Sequence, residues 1–234
     1  MVRTILAVDG GNSKTDVAVV SEDGEVLSTG RSGPFVPQSA GVTAAVDTAM
    51  QAVRQAASDP GPFAHVAAYL AGADLPVEEE ELAREFGTRG LGGDIVVRND
   101  TFALLRAGAS GPWGVAVVCG AGINAVGVGP DGRVARFPAL GLVSGDWGGG
   151  LGLGEEVLWH AVRAEDGRGP ATALAELVRG HFGTGTVEDV VLGLHVGELQ
   201  EADLMDLSPG LFAVAAQGDA IAESLVRRQA EEVV

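Results

Sequence analysis

The stretch Ile5–Val20, ILAVDGGNSKTDVAVV, determines how the rest of the chain is interpreted. Its two apolar runs, Ile5–Val8 and Val17–Val20, are short, rich in β-branched residues and separated by a polar turn. This pattern predicts two strands that are buried on both faces and joined as a β-hairpin. The adjacent glycines Gly10 and Gly11 permit positive φ and let backbone N–H groups approach a ligand with no Cβ in the way.

The turn of this hairpin, Asp9–Thr15, has the composition of a phosphate-binding loop. A nest of backbone amides can bind phosphate oxygens, and Ser13 and Thr15 add hydroxyl donors. Asp9, at the end of the first strand, can hold Mg²⁺ directly or through water. An ordinary hairpin turn explains the same residues equally well, because Gly, Asn and Asp are usual in turns. The stretch is neither a Walker loop nor a dinucleotide-binding glycine turn, since it lacks both motifs.

Composition restricts the class of protein. The chain has 234 residues, of which 46% are hydrophobic and 20% charged, so it can form a substantial core in one or two domains. A net charge of -17 argues against nucleic acid or an anionic membrane as a partner. With Cys119 as its single cysteine, the chain cannot form an internal disulfide or a cysteine-cluster metal site of its own. It carries no long apolar run and no signal peptide, so we expect a cytoplasmic protein.

The first half of the chain predicts the element order βββαβαβα. An Asp-Gly turn at Asp23-Gly24 leads into a third strand near Val26–Thr29, and Ser39 is placed to cap the first helix. The other predicted elements are helices at about 40–57, 77–86 and 102–107 and strands at His65–Leu70 and Ile95–Arg98.

The same pattern then recurs after a polar breaker at Gly108–Pro112. A strand at Trp113–Cys119, a glycine turn at Gly120–Asn124 and two further short strands, 125–128 and 134–137, repeat the opening meander. We interpret this repeat as two duplicated domains, 1–111 and 112–234, although two unrelated hairpins remain an alternative. Pro138–Gly154 is predicted to be a long loop shaped around a ligand.

Helices follow this loop to the end of the sequence. They are predicted at about 155–164, 171–181 and 187–195, the last capped by Thr186, with a single final helix from about Gly210 onward. No further strands are indicated, so we expect the second domain to be incomplete at its C-terminus.

Four motifs in this order resemble the N-acetylglucosamine kinases and the BadF-type ATPases grouped with them, within the superfamily of sugar kinases, actin and the heat-shock ATPases. The motifs are Asp9–Thr15, Asn99–Thr101, Gly120–Asn124 and Ser144–Gly149, and they cover nearly the whole chain. The resemblance implies an α/β fold of two ribonuclease-H-like (actin-like ATPase) domains with ATP in the cleft between them.

The resemblance also implies roles for individual residues. The first turn is similar to the phosphate-1 loop, which assigns ATP phosphate binding to Gly10, Gly11, Asn12, Ser13, Lys14 and Thr15. The second turn is similar to the phosphate-2 loop and adds Gly120, Ala121 and Gly122. Asp100 stands at the position of the family's catalytic base, and Gly145 and Asp146 stand where sugar hydroxyls are bound. ATP and Mg²⁺ are the implied cofactors, with the metal near Asp9.

The chemistry of the residues agrees with these roles. A carboxylate at the mouth of a strand can accept the proton of a sugar hydroxyl that attacks the γ-phosphoryl group, and an ordinary Asp is ionised at neutral pH. Positioning and charge neutralisation supply the rest of phosphoryl transfer. The structural alternatives are that Asp100 caps a helix starting at Thr101 and that Asp146 is a turn residue among glycines. His65, His160, His181 and His195 form no ligand-spaced cluster.

Two departures from the family pattern are visible. The loop Gly33–Pro37 has no Asn, where family members have an Asn that contacts the sugar, so the sugar is left open. No stretch matches the glycine motif and strands that hold adenosine in the family.

Three functions therefore compete. The first is ATP-dependent phosphorylation of a hydroxyl of N-acetylglucosamine or a related amino sugar, with sugar and ATP as partners and a homodimer left open. The second is a non-catalytic member of the family that keeps weak phosphate binding or an interaction role. The third is an ATPase that activates a radical enzyme through an iron–sulfur cluster shared by two subunits. It ranks last, because Cys119 is alone and lies in a predicted buried strand. Zinc-containing repressor-type sugar kinases are disfavoured because their cysteine cluster is absent.

Overall fold

The computed structural model describes residues 3–58 and 61–234. The predicted first domain begins at Met1, and the prediction that there is no signal peptide concerns the same end of the chain. Met1 and Val2 lie outside the described residues. The chain divides into two compact units, Met1–Ala116 with Ala125–Pro138 and Val117–Asn124 with Ala139–Val234. The domain limits 1–111 and 112–234 stay a prediction.

A five-stranded sheet forms the centre of the first unit. Its strands are β1 (Thr4–Gly10), β2 (Thr15–Ser21), β3 (Val26–Ser32), β4 (His65–Leu70) and β5 (Asp94–Asn99), in the order β3-β2-β1-β4-β5. β1 pairs antiparallel with β2 and parallel with β4, and β4 pairs parallel with β5. Asp9 and Asn99 therefore both lie at the same end of the sheet, where the parallel strands β1 and β5 finish.

The prediction that the first two strands are buried on both faces is wrong. In β1 and β2 only alternate residues are fully buried, among them Leu6 and Val8 on one strand and Val17 and Val19 on the other. These side chains form one core with the helices on that face, because successive residues of a strand point to opposite sides of the sheet.

The described residues of the first unit form the helices α1 (Pro37–Ala40), α2 (Val42–Ala56), α3 (Pro76–Gly87) and α4 (Asp100–Gly108). The predicted single helix at 40–57 is divided, because Gly41 has a φ of 88° and ends α1 before α2 begins. Ser39 lies inside α1 and donates its hydroxyl to the Val36 carbonyl, so the prediction that it caps the long helix is wrong.

The second meander forms a three-stranded sheet of order β6-β7-β8, with β6 at Gly114–Cys119, β7 at Ile123–Val128 and β8 at Val134–Arg136. Cys119 is exposed, contrary to the predicted buried strand. After a short 3-10 helix at Gly141–Ser144 the chain enters helices α5 (Gly149–Glu165), α6 (Leu174–Phe182) and α7 (Val187–Val196). Thr186 caps α7 as predicted, with its hydroxyl accepting from the Asp189 N–H.

The prediction of an unbroken loop at Pro138–Gly154 is wrong, because Gly149–Gly154 are already helical. Their glycines allow close packing: a Cβ at Gly150 would lie 2.6 Å from Met205 Cγ, and one at Gly154 would collide with the Leu204 carbonyl. The single final helix is also wrong. The structure has a 3-10 helix at Glu201–Leu207, α8 at Ser208–Ala216 and α9 at Ala220–Val233.

Gly218, with a φ of 89°, separates the last two helices, and Asp219 caps α9. Side chains from α5 to α9 form the second unit's core; its buried members include Trp147, Leu153, Val157, Leu174, Val178, Val190, Leu207, Leu211 and Leu225. Within the described ranges, the helices are too short or too polar to cross a membrane.

Candidate active site

The hairpin turn between β1 and β2 is tight and anchored by backbone hydrogen bonds. The Gly11 N–H donates to the Lys14 carbonyl at 2.9 Å, and the Phe35 N–H donates to the Gly11 carbonyl at 2.9 Å. Neither Gly10 nor Gly11 is among the glycines with positive φ, so the prediction that these glycines serve a positive φ is wrong. Close approach explains Gly10 instead, since a Cβ there would lie 2.6 Å from Leu70 Cδ2.

The polar side chains of this turn differ in exposure. Asn12, Ser13 and Lys14 are exposed, so their donors can reach a ligand. Thr15 is fully buried, and its hydroxyl donates to the Gly33 carbonyl at 2.9 Å. The hydroxyl of Thr15 therefore holds the loop after β3 against the hairpin.

Asp16, which the sequence did not single out, is paired with two cations beside this turn. Arg31 donates through Nε at 2.5 Å and Nη2 at 3.1 Å to its two carboxylate oxygens, and Lys14 Nζ lies 2.7 Å from Oδ2. These hydrogen bonds lower the pKa of Asp16 to about 2, and the contribution of Arg31 is the largest. The available signal was the hairpin register, which pairs Asp9 with Asp16.

This ion pair gives the hairpin a pH dependence. The pKa of Asp16 is lower in the folded chain, so its pair contributes stability above the unfolded pKa and loses it as pH falls from about 4 to about 2. We expect Asp16→Asn to lower the melting temperature at neutral pH by a small amount, because both partners are partly exposed. The difference from wild type should vanish near pH 2 in a melting series. A difference that stays constant with pH would contradict this assignment.

Asp100 is the first residue of α4, and the helix cap is the residue before it. The side-chain oxygen of Asn99 accepts hydrogen bonds from the Thr101 N–H at 3.1 Å and the Thr101 hydroxyl at 2.5 Å. The alternative that Asp100 caps a helix starting at Thr101 is therefore wrong. Asn99 is fully buried and caps the helix, and the Asp100 carboxylate beside it is half-buried.

The electrostatics of Asp9 and Asp100 are coupled. Burial, followed by the charge of Asp9, raises the pKa of Asp100, while the N–H of Thr101 and the guanidinium of Arg136 oppose the rise. Burial, followed by the charge of Asp16, also raises the pKa of Asp9. Mutually repelling carboxylates at one sheet edge are an environment that a cation would stabilise.

The donor set at this edge fits magnesium bound with a nucleotide. Mg²⁺ takes oxygen ligands and is usually held by one or two carboxylates together with phosphates and water. The described part of the chain has no group of three or more His, Cys, Asp or Glu side chains suited to a metal. Asp9 lies beside the turn and keeps solvent-accessible surface although its carboxyl group is partly desolvated, so it can supply the carboxylate that such an ion requires.

The second glycine turn, between β6 and β7, supports the start of α5. The Gly120 and Ala121 carbonyls accept hydrogen bonds from the N–H groups of Gly150 and Leu151 at 2.7 and 3.0 Å. The Gly120 N–H donates to the Gly122 carbonyl at 2.9 Å. Among the described residues, the N–H groups of Ala121 and Gly122 donate to no backbone carbonyl in the turns, loops and caps.

Asp146 lies in a loop whose shape depends on glycines in the left-handed region. Gly145 has a φ of 86° and ends the 3-10 helix Gly141–Ser144. The Ser144 hydroxyl donates to Asp146 Oδ2 at 2.7 Å, and the Asp146 N–H donates to the Gly141 carbonyl at 3.1 Å. This arrangement orients the half-buried Asp146 carboxylate.

Asp146 borders an open cavity of about 820 Å³ within the second unit. Trp147 and Trp159 line it together with Arg228, whose guanidinium lies 3.9 Å from the Trp147 ring centroid. Trp147 Nε1 donates to Glu156 at 3.1 Å. The sequence gave Trp147 no role of its own, although it lies in the motif Ser144–Gly149, and it did not single out Trp159 or Arg228. Arg228 is too distant in sequence to be linked to Trp147.

The predicted site residues divide between the units. Asp9, the turn Gly10–Thr15 and Asp100 lie in the first unit, whereas Gly120–Gly122, Gly145 and Asp146 lie in the second. Within the first unit, the structure brings Asp9 and Asp100 close enough for their charges to interact.

Comparison with known proteins identifies relatives of the whole chain. The model of the BadF/BadG/BcrA/BcrD ATPase family matches residues 6–234. The N-acetyl-D-glucosamine kinase of Dictyostelium discoideum is 25% identical over 94% of this chain and 74% of its own length. The N-acetylmuramic acid/N-acetylglucosamine kinase of Clostridium acetobutylicum is 23% identical over 99% of this chain and 77% of its own.

Solved structures show the same fold. A protein from Chromobacterium violaceum, provisionally named as an N-acetylglucosamine kinase, superposes with a TM-score of 0.77 at 26% identity, covering 99% of this chain and 81% of its own. A ROK family glucokinase from Streptomyces griseus, solved with glucose and AMPPNP, has a TM-score of 0.52 at 18% identity over 98% of this chain and 76% of its own. This second likeness concerns the fold alone.

Proposed function

Because this chain belongs to the BadF/BadG/BcrA/BcrD ATPase family, we propose that it transfers the γ-phosphoryl group of ATP to a hydroxyl group of an amino sugar. N-acetylglucosamine is the first candidate substrate, since it appears in the names of relatives that align with most of the chain. The residues of the four motifs include acidic and polar groups but no cysteine cluster.

The observation that carries the proposal is the position of Asp100. Its carboxylate stands at the N-terminus of α4, yet Asn99 performs the capping that an Asp in this place usually performs. An acidic side chain that is half-buried, raised in pKa and not itself the helix cap is typical of a functional carboxylate.

In the proposed reaction Asp100 acts as the general base. Its carboxylate accepts the proton of the sugar hydroxyl while the hydroxyl oxygen bonds to the γ-phosphorus and the bond from that phosphorus to the β–γ bridging oxygen breaks. The products are ADP and a sugar phosphate, with the proton on Asp100 until it leaves to solvent. The raised pKa makes Asp100 a stronger base than a solvated Asp.

The turn residues serve the phosphates. The exposed donors of Asn12, Ser13 and Lys14 are proposed to hold them, and the N–H groups of Ala121 and Gly122 are proposed to do the same from the second turn. Bound Mg²⁺, held by Asp9 directly or through water, would neutralise phosphate charge. Asp146 and Gly145 are proposed to bind sugar hydroxyls, with Ser144 fixing the carboxylate.

The test is ADP release by the purified chain with Mg-ATP, in the presence and absence of N-acetylglucosamine. We expect release that depends on the sugar and matches formation of a sugar phosphate one to one. Glucosamine, N-acetylmuramic acid and glucose, tested in parallel, rank the substrates by kcat/KM. Xylose, which lacks the exocyclic hydroxymethyl group, serves as a control substrate.

The other outcomes would separate the competing functions. ADP release that is independent of every sugar would contradict the kinase proposal and favour an ATPase. The absence of both turnover and any Mg-ATP-induced rise in melting temperature, for a folded protein, would favour the non-catalytic alternative.

A further inference from the structure

Arg136, the last residue of β8, makes a buried connection to the region before Asp100. Its Nη1 donates to Glu79 Oε1 of α3 at 3.1 Å, and its Nη2 donates to the Asp74 backbone carbonyl at 3.0 Å. The side chains of Arg136 and Glu79 are only 15% and 19% exposed. This ion pair therefore lies in a much less solvated place than the chain's surface pairs, such as Arg133 with Asp131.

The partners of Arg136 hold Asn99 from two sides. The same Glu79 Oε1 accepts the backbone N–H of Asn99 at 3.2 Å. The Asn99 side-chain amide donates to Asp74 Oδ1 at 3.0 Å, while its oxygen accepts from Thr101. One connected set of hydrogen bonds thus runs from Arg136 through Glu79 and Asp74 to the residue that precedes Asp100.

Arg136 also contacts α4 directly. Its guanidinium lies 5.4 Å from the centroid of the Phe102 ring, which is two residues after Asp100. Its Nε is buried and has no hydrogen-bond partner among the described residues, a feature that works against stability. A buried arginine with one unsatisfied donor is hard to explain by stability alone, which directs attention to function.

We propose that Arg136 is a positioning residue for Asp100: through Glu79, Asp74 and Asn99 it fixes the start of α4 and supplies the positive charge that favours the ionised base. This inference rests on the proposed kinase function, since it concerns the base of that reaction. Arg136 itself touches no reacting atom.

The charges around these groups support the direction of the effect. Of the charged groups around Asp100, Asp9 raises its pKa and Arg136 lowers it, and Asp74 is a further carboxyl group whose charge interacts with that of Asp100. Burial, followed by Glu78, raises the pKa of Asp74 to about 7, and Arg136 opposes that rise while Asp100 adds to it. Removing the guanidinium would therefore raise the pKa of both carboxyl groups, and the base would become ionised only at higher pH.

The test compares Arg136→Met with Arg133→Met, a matched substitution in the same hairpin whose arginine is 89% exposed. For Arg136→Met we expect kcat to fall by about 10-fold to 100-fold and the KM for ATP to stay within about 3-fold. We also expect the acidic limb of the kcat–pH profile to move to higher pH. Arg133→Met should match wild type in kcat, in the KM for ATP and in the position of the acidic limb. A lower kcat with an unmoved acidic limb would show a merely structural role and overturn the proposal.

Two further measurements keep the proposal testable if Arg136→Met folds poorly or the wild type proves inactive. Arg136→Lys keeps the charge, so it should restore the acidic limb towards wild type, and an unrestored limb would overturn the electrostatic role.

Carboxyl NMR titration of Asp100 and amide exchange at Thr101 need no turnover. A raised Asp100 pKa and faster Thr101 exchange in Arg136→Met, absent in Arg133→Met, would support the network even if the kinase proposal fails. Unchanged values would overturn it.

Discussion

Replacing Asp100 by Asn is expected to lower kcat by about 10²-fold to 10⁴-fold, the range that general-base catalysis contributes. The amide has nearly the shape of the carboxylate but cannot take a proton from the sugar hydroxyl. Because Asn99 and not Asp100 caps α4, the helix should keep its first turn in the variant. The KM for ATP should therefore change little, and the loss should appear in kcat.

The same substitution is expected to raise stability at neutral pH. A carboxyl group whose pKa is raised on folding binds its proton more tightly in the folded state. It contributes stability below its unfolded pKa, and this contribution is lost as pH rises through the folded pKa. At about pH 7 the ionised Asp100 is therefore less favourable than a neutral amide. Asp100→Asn should melt at a higher temperature than wild type there, with the gain disappearing in acid.

Asp94→Asn is the matched control, because Asp94 is an exposed residue at the other end of the same strand. It should change neither turnover nor melting temperature by a measurable amount. Turnover of Asp100→Asn within a few fold of wild type would remove Asp100 from the role of base. A large loss of turnover together with a lower melting temperature would mean that the carboxylate serves the fold.

The hairpins were the most predictable part of the fold, because their signals are local. Short apolar runs and the Asp-Gly turn at Asp23-Gly24 identify β1, β2 and β3, and Gly24 adopts a positive φ of 88°. The N-cap of α4 was harder. Asn99 and Asp100 are adjacent and are almost equally good caps, so only the buried place of Asn99 in the fold decides between them.

The start of α5 was mispredicted for a different reason. Glycine has a low intrinsic helix propensity, so Gly149–Gly154 appear to be a loop when only the sequence is considered. In the fold, Gly149, Gly150 and Gly154 each face a neighbour too close for a Cβ. Tertiary packing outweighs the propensity, and this cannot be read from the sequence because Leu204 and Met205 are distant along the chain.

The candidate site shows the same division between local and long-range information. The first turn and Asp100 were proposed as site residues from motifs whose residues are contiguous, and these assignments stay a prediction. Asp16 required the register of β2 with both β1 and β3, the second of which places it opposite Arg31, and Arg136 required a contact with Glu79 across 57 positions of sequence. Charge pairs between distant positions have no periodic signature, so these groups were found only in the structure.

Gly149→Ala is expected to give the largest loss of stability among single methyl additions near the second turn. Gly149 has a φ of 71°, and a Cβ there would lie 2.6 Å from the Gly122 carbonyl carbon and 2.7 Å from the Ala121 carbonyl oxygen. Both neighbours are backbone atoms of the proposed phosphate-binding turn, so a rotamer change cannot relieve the collision. The left-handed conformation adds its own cost for Ala, and we expect a total loss of about 3–5 kcal/mol.

The loss is measured by urea denaturation of the whole chain, with Gly152→Ala as the control in the same helix. A Cβ at Gly152 meets no atom within 4 Å, so this variant should be equal to wild type or more stable by up to about 1 kcal/mol, because Ala favours the helix. A loss of stability in Gly149→Ala together with a gain in Gly152→Ala would show that the start of α5 packs against the Gly120–Gly122 turn. Similar small effects would mean that this contact is absent in solution, and with it the support that α5 gives to the turn.

Where Gly149→Ala still folds, a weaker Mg-ATP-induced rise in melting temperature than in Gly152→Ala would connect the packing of α5 to phosphate binding.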